Sequence, residues 1–436
     1  MKYAEKIIDI GNAFNAGPLK IEELDQFYHK ETMEFRTGDK YVSPIKDIYE
    51  ACQQPRDKNV FLLLGHRGCG KSTELNNMSQ ELDNNGYQVV TVRCDADLDL
   101  INPVYTDLLI LMGEALLKIA EKVGCGLSKE IKKGLVSFWA TEMVEIGIIK
   151  DTSESSLEAG IQAKTPFFLA SILEIFANAK ANLRFSSEKR TEYKTKLTPR
   201  ASDWLSMLNS IADQITDKLH GKQPILIFEE LDKINPGEAW EIFYNNAAAL
   251  SGVSFPVIYT FPIAFSYDPR FTSLSGYYNS KRLPMIMLET LSGETDQAGI
   301  EVVIEIIKKR ADLSLFEENV LKILIKKTGG SLRDLFDCIN ASAQRAIRRE
   351  SDIVAMEDID TALKQIKASL TRFIERKHCD FLLNICAGNR QLAEDKAMLL
   401  EMLRAGVVLE YNTSGWYNVH PMVKDFLEEL GLTHDE

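Results

Sequence analysis

The sequence predicts an α/β fold: a parallel five-stranded sheet carrying a helical insertion, followed by a helical segment and a small C-terminal domain. Three observations lead there. Gly65-His66-Arg67-Gly68-Cys69-Gly70-Lys71-Ser72 fits the spacing G-x-x-x-x-G-K-[ST], with a strand-like run before it and a helical pattern after it. Apolar runs of strand length alternate with helical periodicity up to Leu288, which implies parallel strands covered on both faces. From Thr295 to about Phe373 the pattern is helical.

The first strand is Asn59 to Leu64, and the glycine-rich loop follows it directly. Gly65, Gly68 and Gly70 let the backbone turn tightly, so that the N–H groups of the loop, Cys69 included, point inward. Together with the positive end of the helix opened by Ser72-Thr73-Glu74-Leu75, they form a nest for phosphate oxygens. Lys71 is placed to reach β- and γ-phosphates, and the Ser72 hydroxyl to hold Mg²⁺. Thr73 reads as helix packing or an α-phosphate contact.

A second strand, Tyr87 to Arg93, leads to a long apolar helix from Tyr105 to Glu121. The third, Pro224 to Phe228, ends in Glu229-Glu230-Leu231-Asp232-Lys233. Two acids at a strand's C-terminal end stand where open α/β sheets bind their ligands. Glu229 is the candidate to hold Mg²⁺ through water and Glu230 the candidate general base, against the plainer reading of a solvated helix start. A fourth strand, Phe255 to Thr260, ends in a polar residue, and Arg282 precedes a fifth candidate, Leu283 to Leu288. Ser331 followed by Asp334 marks a helix start within Gly329-Gly330-Ser331-Leu332-Arg333-Asp334.

Composition excludes several classes. The 436 residues suffice for two to four domains, with apolar and charged fractions of a soluble globular protein. Seven scattered cysteines without a C-x-x-C pair argue against a disulfide framework and a zinc site, and point to a reducing cytoplasmic setting. His378-Cys379 with Cys386 reads as the apolar face of a helix, because Phe381, Leu382 and Ile385 interleave. No stretch reaches membrane-spanning length. A net charge of −13 disfavours a surface that binds nucleic acid throughout.

Taken in order, GHRGCGKST, ILIFEELDK, Thr260, Arg282, GGSLRDL and IVAMEDIDTAL resemble the AAA+ superfamily, in particular its initiator-like and STAND-type ATPases of bacteria and archaea, from about Tyr41 to Leu370. The resemblance implies a P-loop ATPase core with a helical lid, ATP and Mg²⁺ as ligands, and self-assembly. It implies that Thr260 positions the attacking water and that Arg333 in the lid reads the γ-phosphate. Arg282 becomes the candidate to reach a neighbouring subunit's site, with Lys281 and Arg270 behind it, beside the alternative of a surface charge. Two features depart from the superfamily: Glu229 stands where Asp is usual, and a long insertion follows the second strand. Leu291-Ser292-Gly293-Glu294 is similar to the transporter-ATPase signature but follows the acidic strand, so it reads as a loop.

The expected organisation is an N-terminal arm over 1–40, a P-loop core over 41–292 with its insertion at about 127–205, a lid over 293–372 and a winged-helix-like domain over 373–436. Within the insertion, 180–200 holds seven basic residues against two acidic ones, a patch for nucleic acid or another acidic partner, or a solvated helix face. The apolar stretch Pro166 to Phe176 reads as an interaction helix or as core. From Lys377 to Glu436 five basic residues face ten acidic ones, which favours protein over DNA as the contact of the C-terminal domain. The leading expectation is a regulatory ATPase whose nucleotide state controls self-assembly or partner binding. An initiator-like DNA-binding protein, or the ATPase subunit of a defence system working through a separate effector, are the alternatives.

Overall fold

The computed structural model describes residues 1–54, 58–98, 102–137, 168–177, 200–391 and 393–432. Five parallel strands, β1 (Val60–Gly65), β2 (Gln88–Arg93), β3 (Pro224–Glu229), β4 (Val257–Pro262) and β5 (Asn279–Arg282), form one sheet in the order β2-β3-β4-β1-β5. β1, between β4 and β5, is buried along its whole length. Alternate side chains face two cores, as the strand period of two requires. Val60, Leu62, Leu64, Leu226, Phe228 and Val257 meet the helices Tyr105–Lys122 and Ala201–Lys218 on one face. Phe61, Leu63, Ile225, Ile227 and Ile258 meet Leu75, Met78 and Leu82 of the helix Lys71–Asn84 on the other.

The fifth strand differs from expectation. It is the polar segment Asn279–Arg282, which pairs with Phe61 to Leu64 of β1, so Arg282 ends the strand instead of preceding it. The apolar run Leu283 to Leu288 runs on as buried extended chain outside the sheet. Pro284 lacks the N–H a ladder needs, and the N–H groups of Met285 and Met287 donate to Glu410 and Phe35, outside the core.

The lid comprises the helices Gln297–Lys308, Val320–Lys327, Leu332–Arg348 and Met356–Thr371. Its core takes in Ala4, Ile7, Ile10, Ala13 and Phe14, so the N-terminal arm is woven into the lid. The C-terminal unit has the helices Arg376–Cys386 and Lys396–Ala405, an antiparallel hairpin of β6 (Val408–Tyr411) and β7 (Trp416–Val419), and a last helix Pro421–Glu429. Cys379, Leu382 and Ile385 pack into its core, as the apolar spacing requires. Of the insertion, helical residues 168–177 bury Phe168, Ile172 and Phe176 in the main core, so the described part of that stretch is core. The basic segment lies outside the described residues except for Arg200, which pairs with Asp203. No helix among the described residues is long and apolar enough to cross a membrane.

Candidate functional site: a phosphate loop enclosed by arm, lid and strand tips

Gly68 and Gly70 take φ of +80° and +100°, conformations that L side chains rarely adopt. They bend the loop between β1 and the helix Lys71–Asn84. Gly65 is required for a different reason: a Cβ there would stand 2.9 Å from both Cys69 Sγ and the Leu283 carbonyl oxygen. Gly65 and Cys69 accordingly shape the loop from behind, Cys69 being 1% exposed in the core, and neither lines the pocket. Gly68, Gly70, Lys71, Ser72 and Thr73 do line it.

Lys71 Nζ donates to the carbonyl oxygens of Gly65 and His66 at 2.9 Å each, and lies 3.4 Å from Asp232 Oδ2. Burial raises the Asp232 carboxyl, but Lys71, Arg67 and Arg333 outweigh it and hold the group below the usual carboxylate range. Asp232 stands in the ILIFEELDK motif, yet sequence reasoning gave it no role; its spacing beyond a strand tip was the available signal.

Glu229 ends β3, is 5% exposed, and has the Ser72 hydroxyl beside it. Its Oε1 is buried without a hydrogen-bond donor. Burial raises its pKa, with the charge of Glu230 adding to the rise. Glu230 adopts φ +69°, which turns its side chain off the strand axis. It lines the pocket while pairing with Lys233 at 2.9 Å and Arg93 at 3.8 Å. Thr260, 1% exposed on β4, donates its hydroxyl to the Phe228 carbonyl at 3.3 Å and also lines the pocket.

From the lid, Ser331 accepts a hydrogen bond from the Asp334 N–H and starts the helix Leu332–Arg348, as its position predicts. This puts Arg333 against the loop: a Cβ on Gly68 would lie 2.7 Å from Arg333 Cβ. The arm closes the other side. Leu19 N–H donates to Thr73 Oγ1, Asn76 donates to the Leu19 carbonyl, and Tyr28 donates to Glu74 Oε2 at 2.7 Å. Nothing in the arm's sequence announces this, because its residues meet the loop only through tertiary structure.

Arg282 is placed elsewhere. Its Nη1 lies 3.3 Å from where a Gly415 Cβ would stand, and its charge opposes the rise in the Glu410 pKa. It does not line the pocket. Within the chain the guanidinium faces Glu410, the acid of the hairpin strands, among the described residues. Lys281 pairs with Asp47, and Arg270 with Asp268 while lying over Trp240 at 4.2 Å.

His66 joins the loop to the C-terminal unit. His66 Nε2 accepts the Glu410 N–H of β6 at 2.8 Å. Burial, reinforced by Lys71, lowers the His66 pKa to about 3, so the ring stays neutral and able to accept. Tyr411 OH also donates to the Gly329 carbonyl beside the lid helix start.

These donors fit a nucleoside triphosphate and a divalent cation. Positive-φ glycines and an ammonium group suit phosphate oxygens, and the Ser72 hydroxyl with the unpartnered Glu229 oxygen supplies hard ligands of the type Mg²⁺ takes. Fold and site together define a parallel α/β core with a phosphate-loop motif at its strand tips.

Among solved structures the chain is similar to Cdc6p from Pyrobaculum aerophilum, at 14% identity over 96% of each chain with a TM-score of 0.37. It is also similar to the Aeropyrum pernix ORC2 protein, at 10% identity over 88% of this chain and 92% of the other, TM-score 0.36. A third likeness is to a Thermotoga maritima RuvB mutant, at 10% identity over 96% of this chain and 100% of the other, TM-score 0.38. No protein-family model and no curated protein matches the sequence.

Proposed function

We propose that this chain is an AAA+/STAND-like regulatory ATPase, in which ATP binding and hydrolysis set how the lid and C-terminal unit sit on the core, and with them what the protein assembles with. The observation that carries this reading is that one pocket gathers Lys71, Ser72, Glu230, Thr260 and Arg333 from the loop, two strand tips and the lid. Lys71 and the loop amides bind the phosphates. Ser72 and Glu229 would hold Mg²⁺, which when bound neutralises charge shared by the β- and γ-phosphates.

Glu230 is the general base, taking a proton from the attacking water that Thr260 orients. Lys233 and Arg93 hold the Glu230 carboxylate, so it must turn away from them to reach the attacking water. Arg333 distinguishes triphosphate from diphosphate, and its contact with Gly68 passes that difference to the lid. His66 passes the state of the loop to β6, because its carbonyl holds Lys71 while its ring holds Glu410. Phosphate release from MgATP by the purified protein, lost in Lys71→Ala, tests the proposal; a protein that neither binds nor hydrolyses ATP contradicts it.

A further inference from the structure

Arg36 is the most deeply buried cation of the N-terminal arm, 1% exposed. It lines the same pocket as Lys71, Ser72 and Thr73. Its Nη1 donates to the Pro284 carbonyl at 2.9 Å, and its Nε is buried without an acceptor. A Cβ on Gly70 would stand 3.3 Å from Nη2, so the guanidinium lies against the loop residue immediately before Lys71. The nearby acid, Glu74, is engaged by the hydroxyls of Tyr28 at 2.7 Å and Thr32 at 3.5 Å, and no carboxylate among the described residues pairs with Arg36 within 4.0 Å. A buried guanidinium with so few acceptors is costly unless a further anion joins it.

We propose that Arg36 is a phosphate ligand supplied by the arm, and that it grips the inner phosphates, those shared by ATP and ADP. The inference rests on the nucleotide-binding reading above. Two arginines flank the loop: Arg333 at Gly68, and Arg36 at Gly70, where the helix Lys71–Asn84 begins. The tips of β3 and β4, with Glu230 and Thr260, define the end of the pocket where the terminal phosphate reacts. Arg36 stands instead with Thr73 and Glu74 at the helix end, and a planar guanidinium suits bidentate contact with phosphate oxygens there. Because Leu19 and Tyr28 are tied to the same helix, nucleotide held by Arg36 fastens the arm to the core.

The test compares wild type, Arg36→Met and Arg36→Lys by calorimetric titration with MgATP and MgADP, alongside thermal unfolding without nucleotide. The expected result is that Arg36→Met weakens ATP and ADP alike by about 10- to 100-fold, that Arg36→Lys loses less, and that unliganded stability stays level or rises. Loss of ATP affinity alone, unchanged affinity for both, or a fall in unliganded stability with lysine giving no rescue, each overturns the assignment while leaving the nucleotide reading in place. Wild-type protein that binds neither nucleotide overturns both.

Discussion

Glu410, 0% exposed in the strand that touches the phosphate loop, has the Tyr267 hydroxyl and the Arg282 guanidinium beside its carboxylate. Burial raises its pKa to about 7, against the opposing charge of Arg282. Its folded pKa lies above the unfolded carboxylate value, so the native state binds the extra proton. Stability is therefore lost as pH rises through the window from about 4.5 to 7, at a cost of roughly 3 kcal/mol once the group is fully ionised. Glu410→Gln is expected to raise the melting temperature at pH 8 and to change it little at pH 5; equal shifts at both pH values contradict this account. At the same scale, Asp232 holds Lys71 inside the pocket. Lys71→Ala is expected to weaken MgATP by at least about 100-fold in equilibrium titration, since a charge-assisted contact to each of two phosphates is lost.

Between elements, the loop is the meeting point of strand, lid and hairpin. Gly68→Ala forces a Cβ within 2.7 Å of Arg333 Cβ at a φ of +80°, so the lid must retreat. It is expected to reduce ATP affinity about tenfold or more and to narrow the difference between ATP and ADP, read by titrating both. His66→Ala removes the acceptor for a buried backbone N–H. A loss of about 1–3 kcal/mol in denaturant unfolding follows, with the C-terminal unit released first.

Element-scale reading of the sequence succeeded where burial and partner coincide. β1, β3 and β4 are mainly apolar because helices cover both faces, and Gly65 to Ser72 announces the turn between β1 and its helix. It failed at the fifth strand. Asn279–Arg282 is a polar edge strand whose identity comes only from pairing with β1, while Leu283 to Leu288 is apolar because arm and hairpin cover it. An apolar run reports burial and not which backbone it pairs with.

For the whole molecule, arm, lid and C-terminal unit all rest on the loop and the first turn of its helix, through Leu19, Arg333 and His66. Lys71, Ser72, Glu229 and Glu230 were legible as candidates because motif spacing fixes their place relative to the sheet, and Thr260 and Arg333 through the family resemblance alone. Arg36, Asp232 and His66 were not, because their roles arise from contacts distant in sequence or from a ring turned toward β6. A ligand that binds only this closed arrangement stabilises it by about 2.7 kcal/mol at a hundred times its Kd. MgATP at saturation is expected to raise the melting temperature and to protect arm and hairpin amides from hydrogen exchange together. Protection confined to residues of the loop contradicts the coupling.

We propose that a triphosphate is held between the loop and the tips of β3 and β4, with Glu230 drawing the proton from water. The most direct measurement is steady-state phosphate release by Glu230→Gln protein whose MgATP affinity has been determined on the same preparation. Affinity within a few-fold of wild type and turnover reduced by about 100- to 10,000-fold are expected. Wild-type turnover by Glu230→Gln contradicts it.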